Sequence, residues 1–82
     1  MRTSTVRPAV LRLLADRGPL STPELLGADP ALREGTLHHE LPQWLAAGLV
    51  ERERDPWTGP GAAPYRYAIT ELGRGVLQAD ET

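Results

Sequence analysis

The stretch Leu49-Val50-Glu51-Arg52-Glu53-Arg54, the residues Asp55 to Pro64 (DPWTGPGAAP) and the stretch Tyr65-Arg66-Tyr67-Ala68-Ile69-Thr70 together predict a β-hairpin. In the second run Tyr65, Tyr67 and Ile69 fall on one face, the period of a half-buried strand. In the first run Arg52 and Arg54 share a face, and Arg66 lies on the second strand opposite the face of Tyr65 and Tyr67. The intervening residues carry two Gly and three Pro and cannot continue either ladder, so they are expected to form the tip.

Working upstream, Leu37, Leu41, Trp44 and Gly48 cluster at about 100° per residue, with Leu45 at the edge. This is a helix with a core-facing stripe. Asp29-Pro30 signals its approach, as a helix or a turn plus helix, and Gly48 ends it. Ser21-Thr22-Pro23-Glu24 is a capping box with Pro in the first turn, which starts a helix of about two turns carrying Leu25 and Leu26 and ending by Gly27. Leu20 is a short extended link. Before it, Thr5 is expected to cap a helix from about Val6 to Arg17, with Pro8 in its first turn and Val6, Val10, Leu13 and Leu14 on one face. Gly18-Pro19 stops it. Downstream of the hairpin, Thr70 can cap a last helix with Leu72, Val76 and Leu77 as apolar contacts, and Ala79 to Thr82 are expected to fray.

The order is helix-helix-helix-strand-wing-strand-helix, mainly α with a small hairpin (α+β). That is the winged helix-turn-helix plan, and 82 residues suit one such domain over 1–82, with an ordered core of about 5–78. In this plan the third helix enters the major groove of duplex DNA and the wing lies along the backbone or minor groove.

Composition narrows the function classes. With no Cys, neither a disulfide framework nor a thiolate metal site is open to the chain. No apolar run reaches the length of a membrane span, and Met1 to Arg7 holds no apolar core of a signal peptide, so a cytoplasmic protein is expected. His38 and His39 are adjacent on a helix and point about 100° apart, which does not converge on one ion, so no metal site is expected. No Ser/His/Asp arrangement, phosphate loop or carboxylate pair is present, and Gly59-Pro60-Gly61 is too slight to cradle a phosphate; enzyme chemistry and cofactors are not expected. The 9 basic residues, all Arg, face 11 acidic ones for a formal net charge of −2. The global basic footprint of a DNA-binding protein is missing, so phosphate contacts must come from a local Arg patch.

Gly35-Thr36-Leu37-His38-His39-Glu40-Leu41, then Trp44, then Ala47-Gly48-Leu49-Val50, resembles the recognition-helix block of PadR-type winged helix regulators. Tyr65-Arg66-Tyr67-Ala68-Ile69-Thr70-Glu71-Leu72-Gly73-Arg74 resembles that family's strand-to-helix ending, and the similarity covers roughly Val10 to Leu77. It implies a transcriptional regulator that binds DNA as a dimer. The chain departs from the pattern at His38, where the family has Tyr, and at Pro42 inside the third helix. PadR-type proteins dimerise through a long C-terminal helix. Here the residues after Leu77 are few, and a homodimer is expected to use the first and last helices instead.

Opposite the Leu37/Leu41/Trp44 stripe lie Gly35, Thr36, His39, Pro42, Gln43 and Ala46, with His38 on a flank. This face is uncharged and can hydrogen-bond. Thr36, His38, His39 and Gln43 are the candidate base readers, Gln being suited to adenine. Arg33 is the cation at the helix start, and Arg52, Arg54 and Arg66 are the candidate phosphate patch of the hairpin, diluted by Glu51, Glu53 and Asp55. Glu34 and Glu40 are placed nearer the core flank. The alternative is a winged helix protein-protein interaction module without DNA binding, favoured by the acidic balance and by Trp57, an anchor for a partner protein unless it folds back on the hairpin.

Overall fold

The computed structural model describes residues 3–54 and 65–81, with side chains for 5–54 and 65–80. Along the chain run α1 (Thr3–Arg17), α2 (Thr22–Ala28), α3 (Glu34–Ala46), β1 (Val50–Arg54), β2 (Tyr65–Ile69) and α4 (Glu71–Glu81). The hairpin tip and Trp57 lie outside the described residues.

α1 begins at Thr3, two residues before the expected Thr5 cap, so Pro8 sits inside the helix rather than in its first turn. Pro8 gives up one backbone hydrogen bond, a cost that tertiary packing must offset. The packing is visible: Val6, Val10, Leu11 and Leu14 are buried, and Leu13, expected on the stripe, is half-buried. Gly18 N–H donates to the Leu14 carbonyl at 3.0 Å and closes the helix end.

α2 starts as its sequence requires. Ser21 Oγ accepts from Glu24 N–H at 3.3 Å, and Glu24 Oε1 accepts from Ser21 N–H at 3.1 Å, the reciprocal pair of a capping box. Leu25 is fully buried and Leu26 half-buried. Asp29-Pro30 makes a turn and not a helix start: Asp29 Oδ1 accepts from Ala31 N–H at 2.9 Å, and the Asp29 carbonyl accepts from Leu32 N–H at 3.1 Å. Leu32 is buried by this turn, a core residue outside the helical stripe.

β1 and β2 are antiparallel in the register Val50↔Ile69, Arg52↔Tyr67 and Arg54↔Tyr65. Leu20 extends the sheet. Its N–H donates to the Tyr67 carbonyl at 3.0 Å and its carbonyl accepts from Tyr67 N–H at 2.8 Å, so the link between α1 and α2 lies along β2 as a third, one-residue rung. α4 and β2 both pack on α1, and α3 meets β1. Val6, Val10, Leu11, Leu14, Leu20, Leu25, Leu32, Leu37, Leu41, Trp44, Leu49, Val50 and Leu77 make one core, with Tyr67, Ile69 and Val76 packed against it.

The join between hairpin and α4 is built from four residues. Gly48 ends α3 at φ +80°, a left-handed conformation that a side chain would strain, and sends the chain into β1. Thr70 N–H donates to the Leu49 carbonyl at 3.1 Å. The Thr70 hydroxyl donates to the Gly48 carbonyl at 2.5 Å, lies 3.0 Å from the Leu49 carbonyl, and accepts from Gly73 N–H at 3.0 Å. Thr70 therefore caps α4 as expected and also ties it to the end of α3. Gly73 is buried where the helix presses on the Leu49 backbone.

Two expectations for α4 are corrected. Leu72 is 57% exposed and not a core contact; Leu77 is buried and Val76 half-buried. The chain also holds helix to Glu81 instead of fraying from Ala79. A tether explains this: Arg7 Nε and Nη2 donate to the two Asp80 carboxylate oxygens at 3.0 and 2.8 Å, bridging α1 and α4. The hydrogen bond to Asp80 is the largest influence and raises the Arg7 pKa above its ordinary value; burial opposes it, and the Asp80 charge adds a smaller rise. The guanidinium is charged throughout the physiological range either way, so the pair adds no pH dependence there.

Candidate nucleic-acid interface

The Leu37, Leu41 and Trp44 side chains are buried, as the helical period requires, and they fix the orientation of α3. Its opposite side is the candidate reading face. Gly35, His39, Pro42, Gln43 and Ala46 are exposed and Thr36 is half-buried. His38 is exposed on the flank, its Nε2 3.4 Å from Glu34 Oε1. Glu34 is thus exposed, contrary to its expected place nearer the core, while Glu40 is buried. Glu34, beside the reading face, is engaged with an imidazole on the same side.

At the start of α3, Arg33 is the N-cap. Its backbone is extended, and its side chain makes no capping hydrogen bond. A cation here faces the positive end of the helix dipole and supplies no acceptor to the first turn. Pro42 leaves the His38 carbonyl without its usual helical partner on the exposed side.

The sheet register separates the three hairpin arginines. Residues directly opposite in an antiparallel pair point to the same side. Arg52 and Arg54 therefore share a face with Tyr67, Tyr65, Val50 and Ile69, whereas Arg66 sits with Glu51, Glu53 and Ala68 on the other. The expected single patch of Arg52, Arg54 and Arg66 does not form. The Arg52 guanidinium stacks over the Tyr65 ring at 4.2 Å from its centroid, which stiffens a long side chain at modest cost. Arg66 Nε lies 3.8 Å from Glu24 Oε1, the same oxygen that closes the α2 capping box. Arg52 and Arg54 are exposed, and Arg66 is half-buried against the start of α2.

One contact on α3 went unread in the sequence. The Gln43 amide nitrogen lies 3.1 Å from His39 Nε2 and donates to the His39 carbonyl at 3.3 Å. The i,i+4 spacing of the two residues was the available signal. Among the described residues no group of three or more His, Cys, Asp or Glu is placed to hold a metal ion, and no helix is long and apolar enough to cross a membrane.

Three helices, a hairpin joined directly to the third, and a closing helix define a winged helix-turn-helix fold. The chain is similar to the crystal structure of transcriptional regulator PA4135, with a TM-score of 0.61 and 21% sequence identity. The match covers 99% of this chain and 57% of that one, so the present chain spans little more than half of the other protein's length. Comparison with protein-family models and with curated proteins finds no match.

Proposed function

We infer that this chain is a DNA-binding transcriptional regulator, with α3 in the major groove and the hairpin on the backbone or minor groove. The start of α3 carries the reading. A basic N-cap without a capping bond breaks two local rules of helix stability at once, and an exposed uncharged face follows it. Rules broken together at one exposed place mark a surface kept for binding. Arg33, Arg52 and Arg54 are the phosphate contacts, and Thr36, His38, His39 and Gln43 make up the base-reading face. Arg66, on the other sheet face, steadies α2 and reaches only flanking phosphate. The neighbour's description as a transcriptional regulator and the PadR-like motifs support this assignment. Two copies with α3 helices about 34 Å apart would read a pseudo-palindrome from the cytoplasm.

A fluorescence-anisotropy titration with duplex fragments at two salt concentrations tests it. Three phosphate contacts give roughly a 40-fold loss of affinity between 50 and 200 mM salt for a single bound protomer, and the six of a bound pair roughly 2,000-fold. Absence of binding at low salt would exclude the reading. A second reading, docking to a protein partner, is favoured by the net charge of −2 and by the division of the arginines between two faces.

Arg33→Asp separates binding from stability. A carboxylate at the N-cap accepts from the first turn and suits the helix dipole, so the variant gains about 1 kcal/mol of stability. The same change places an anion against phosphate, and DNA affinity falls by roughly tenfold or more. Thermal melting and anisotropy on one preparation check the opposed signs. Equal DNA affinity would remove Arg33 from the interface.

A further inference from the structure

We propose that His39 is a positioning residue that sets which bases Gln43 can read. The inference rests on the DNA-binding reading above and concerns the chemistry of one contact within it. The Gln43 amide nitrogen has two hydrogens. One points to His39 Nε2 at 3.1 Å and the other to the His39 carbonyl at 3.3 Å. The carbonyl decides which end of the amide faces His39, because an amide oxygen turned the same way would meet a second oxygen. Nε2 accepts in the tautomer that carries the ring proton on Nδ1, the one this contact requires. Both amide donors are spent within the helix, and Gln43 offers the groove its Oε1 acceptor alone.

An acceptor alone reads differently from a free glutamine. A free amide recognises adenine through two bonds, with its oxygen on the N6 amine and its N–H on N7. With both N–H groups occupied, the N7 bond is lost and the contact goes to an exocyclic amine. In the major groove adenine N6 and cytosine N4 present such amines, while guanine O6 and thymine O4 present acceptors that would face the Gln43 oxygen. The site therefore accepts adenine or cytosine and rejects guanine and thymine. His39 and Gln43 are both exposed, so the selection acts on the side presented outward.

The test uses the full chain and duplexes selected from a random library. The position read by Gln43 is the one whose preference disappears in Gln43→Ala. At that position the wild type is expected to bind adenine, cytosine and 7-deazaadenine within about twofold of one another, and guanine or thymine roughly fivefold or more weakly. His39→Ala frees one of the two amide hydrogens. Only the N–H held by Nε2 is released, since the backbone carbonyl of residue 39 remains, and one free N–H suffices for N7: the variant is expected to prefer adenine over cytosine by roughly fivefold and to lose that gain with 7-deazaadenine, which lacks N7. A merely structural role for His39 would weaken all probes alike. A wild type that already prefers adenine and suffers from loss of N7, an unchanged profile in His39→Ala, or no position affected by Gln43→Ala would each overturn the proposal while leaving DNA binding intact. Failure to bind any duplex at low salt would overturn the regulator reading, and this inference with it.

Discussion

Gly73→Ala is expected to lower stability by about 3 kcal/mol. For a domain of this size that is a fall of roughly 15 °C in the melting temperature. A Cβ at this position would stand 2.1 Å from the Leu49 carbonyl oxygen, 2.9 Å from Ile69 Cγ1 and 3.0 Å from the Leu49 carbonyl carbon. The nearest obstacle is backbone, held in place by the Thr70 N–H at 3.1 Å, and cannot swing aside as a side chain would. Relief requires α4 to lift from the α3–β1 junction, breaking the Thr70 bonds that join them. Helix propensity alone predicts the opposite sign, because alanine is better than glycine inside a helix by about 1 kcal/mol. Gly75→Ala supplies the control. It lies two residues on in the same helix, is exposed, and has nothing within 4 Å of a new Cβ, so it should stabilise by about 0.5–1 kcal/mol. Two glycine-to-alanine changes in one helix thus differ in sign, and thermal melts of both report whether close approach or propensity governs. A Gly73→Ala protein as stable as Gly75→Ala would contradict the packing of α4 on Leu49.

The contrast shows which physics a sequence displays. Where a signal is local, the reading matched the structure: the Ser21/Glu24 capping box, the Leu37/Leu41/Trp44 stripe, the stop at Gly48, the alternation of Tyr65, Tyr67 and Ile69, and the Thr70 cap each depend on residues within one or two turns. Where the outcome depends on a distant partner, it was not legible. Leu11, outside the stripe the sequence shows, is fully buried in the packed structure. The C-terminal turn is held by Asp80 reaching Arg7, 73 positions away. Leu72 fits the period of a core residue, yet α4 seats with it 57% exposed. The arginine patch failed for the same reason. Strand alternation placed Arg52 with Arg54 correctly, but only pairing between strands shows that Arg66 faces the other way and meets Glu24. On α3 the face was legible from its period, while the internal bond that spends the Gln43 amide needed coordinates.

Leu37→Ala is expected to cost about 3 kcal/mol, within the range for a leucine with no accessible surface, yet to leave the chemistry of the outward side of α3 unchanged. Small domains hold roughly 5–15 kcal/mol in all, and one of this length sits at the lower end, so the loss removes a large share of the whole. In urea the midpoint should fall by roughly 1–3 M while the slope stays constant, since the surface exposed on unfolding barely changes. Leu37 lies between Thr36 and His38 in sequence but points to the other side of the helix. Any loss of DNA affinity should therefore follow the fraction of unfolded chain: large near the lowered melting point, small in the cold, and recovered by excess DNA, which binds only the folded state and raises its melting point. Thr36→Ala should behave in the reverse way, melting within about 1 kcal/mol of the wild type because the residue is only half-buried, and losing affinity at every temperature. The two neighbours separate the side of the helix that holds the fold from the side proposed to meet DNA. A Leu37→Ala protein with an unshifted urea midpoint would mean that this stripe does not anchor α3, and the outward placement of Thr36, His39 and Gln43 would lose its physical basis.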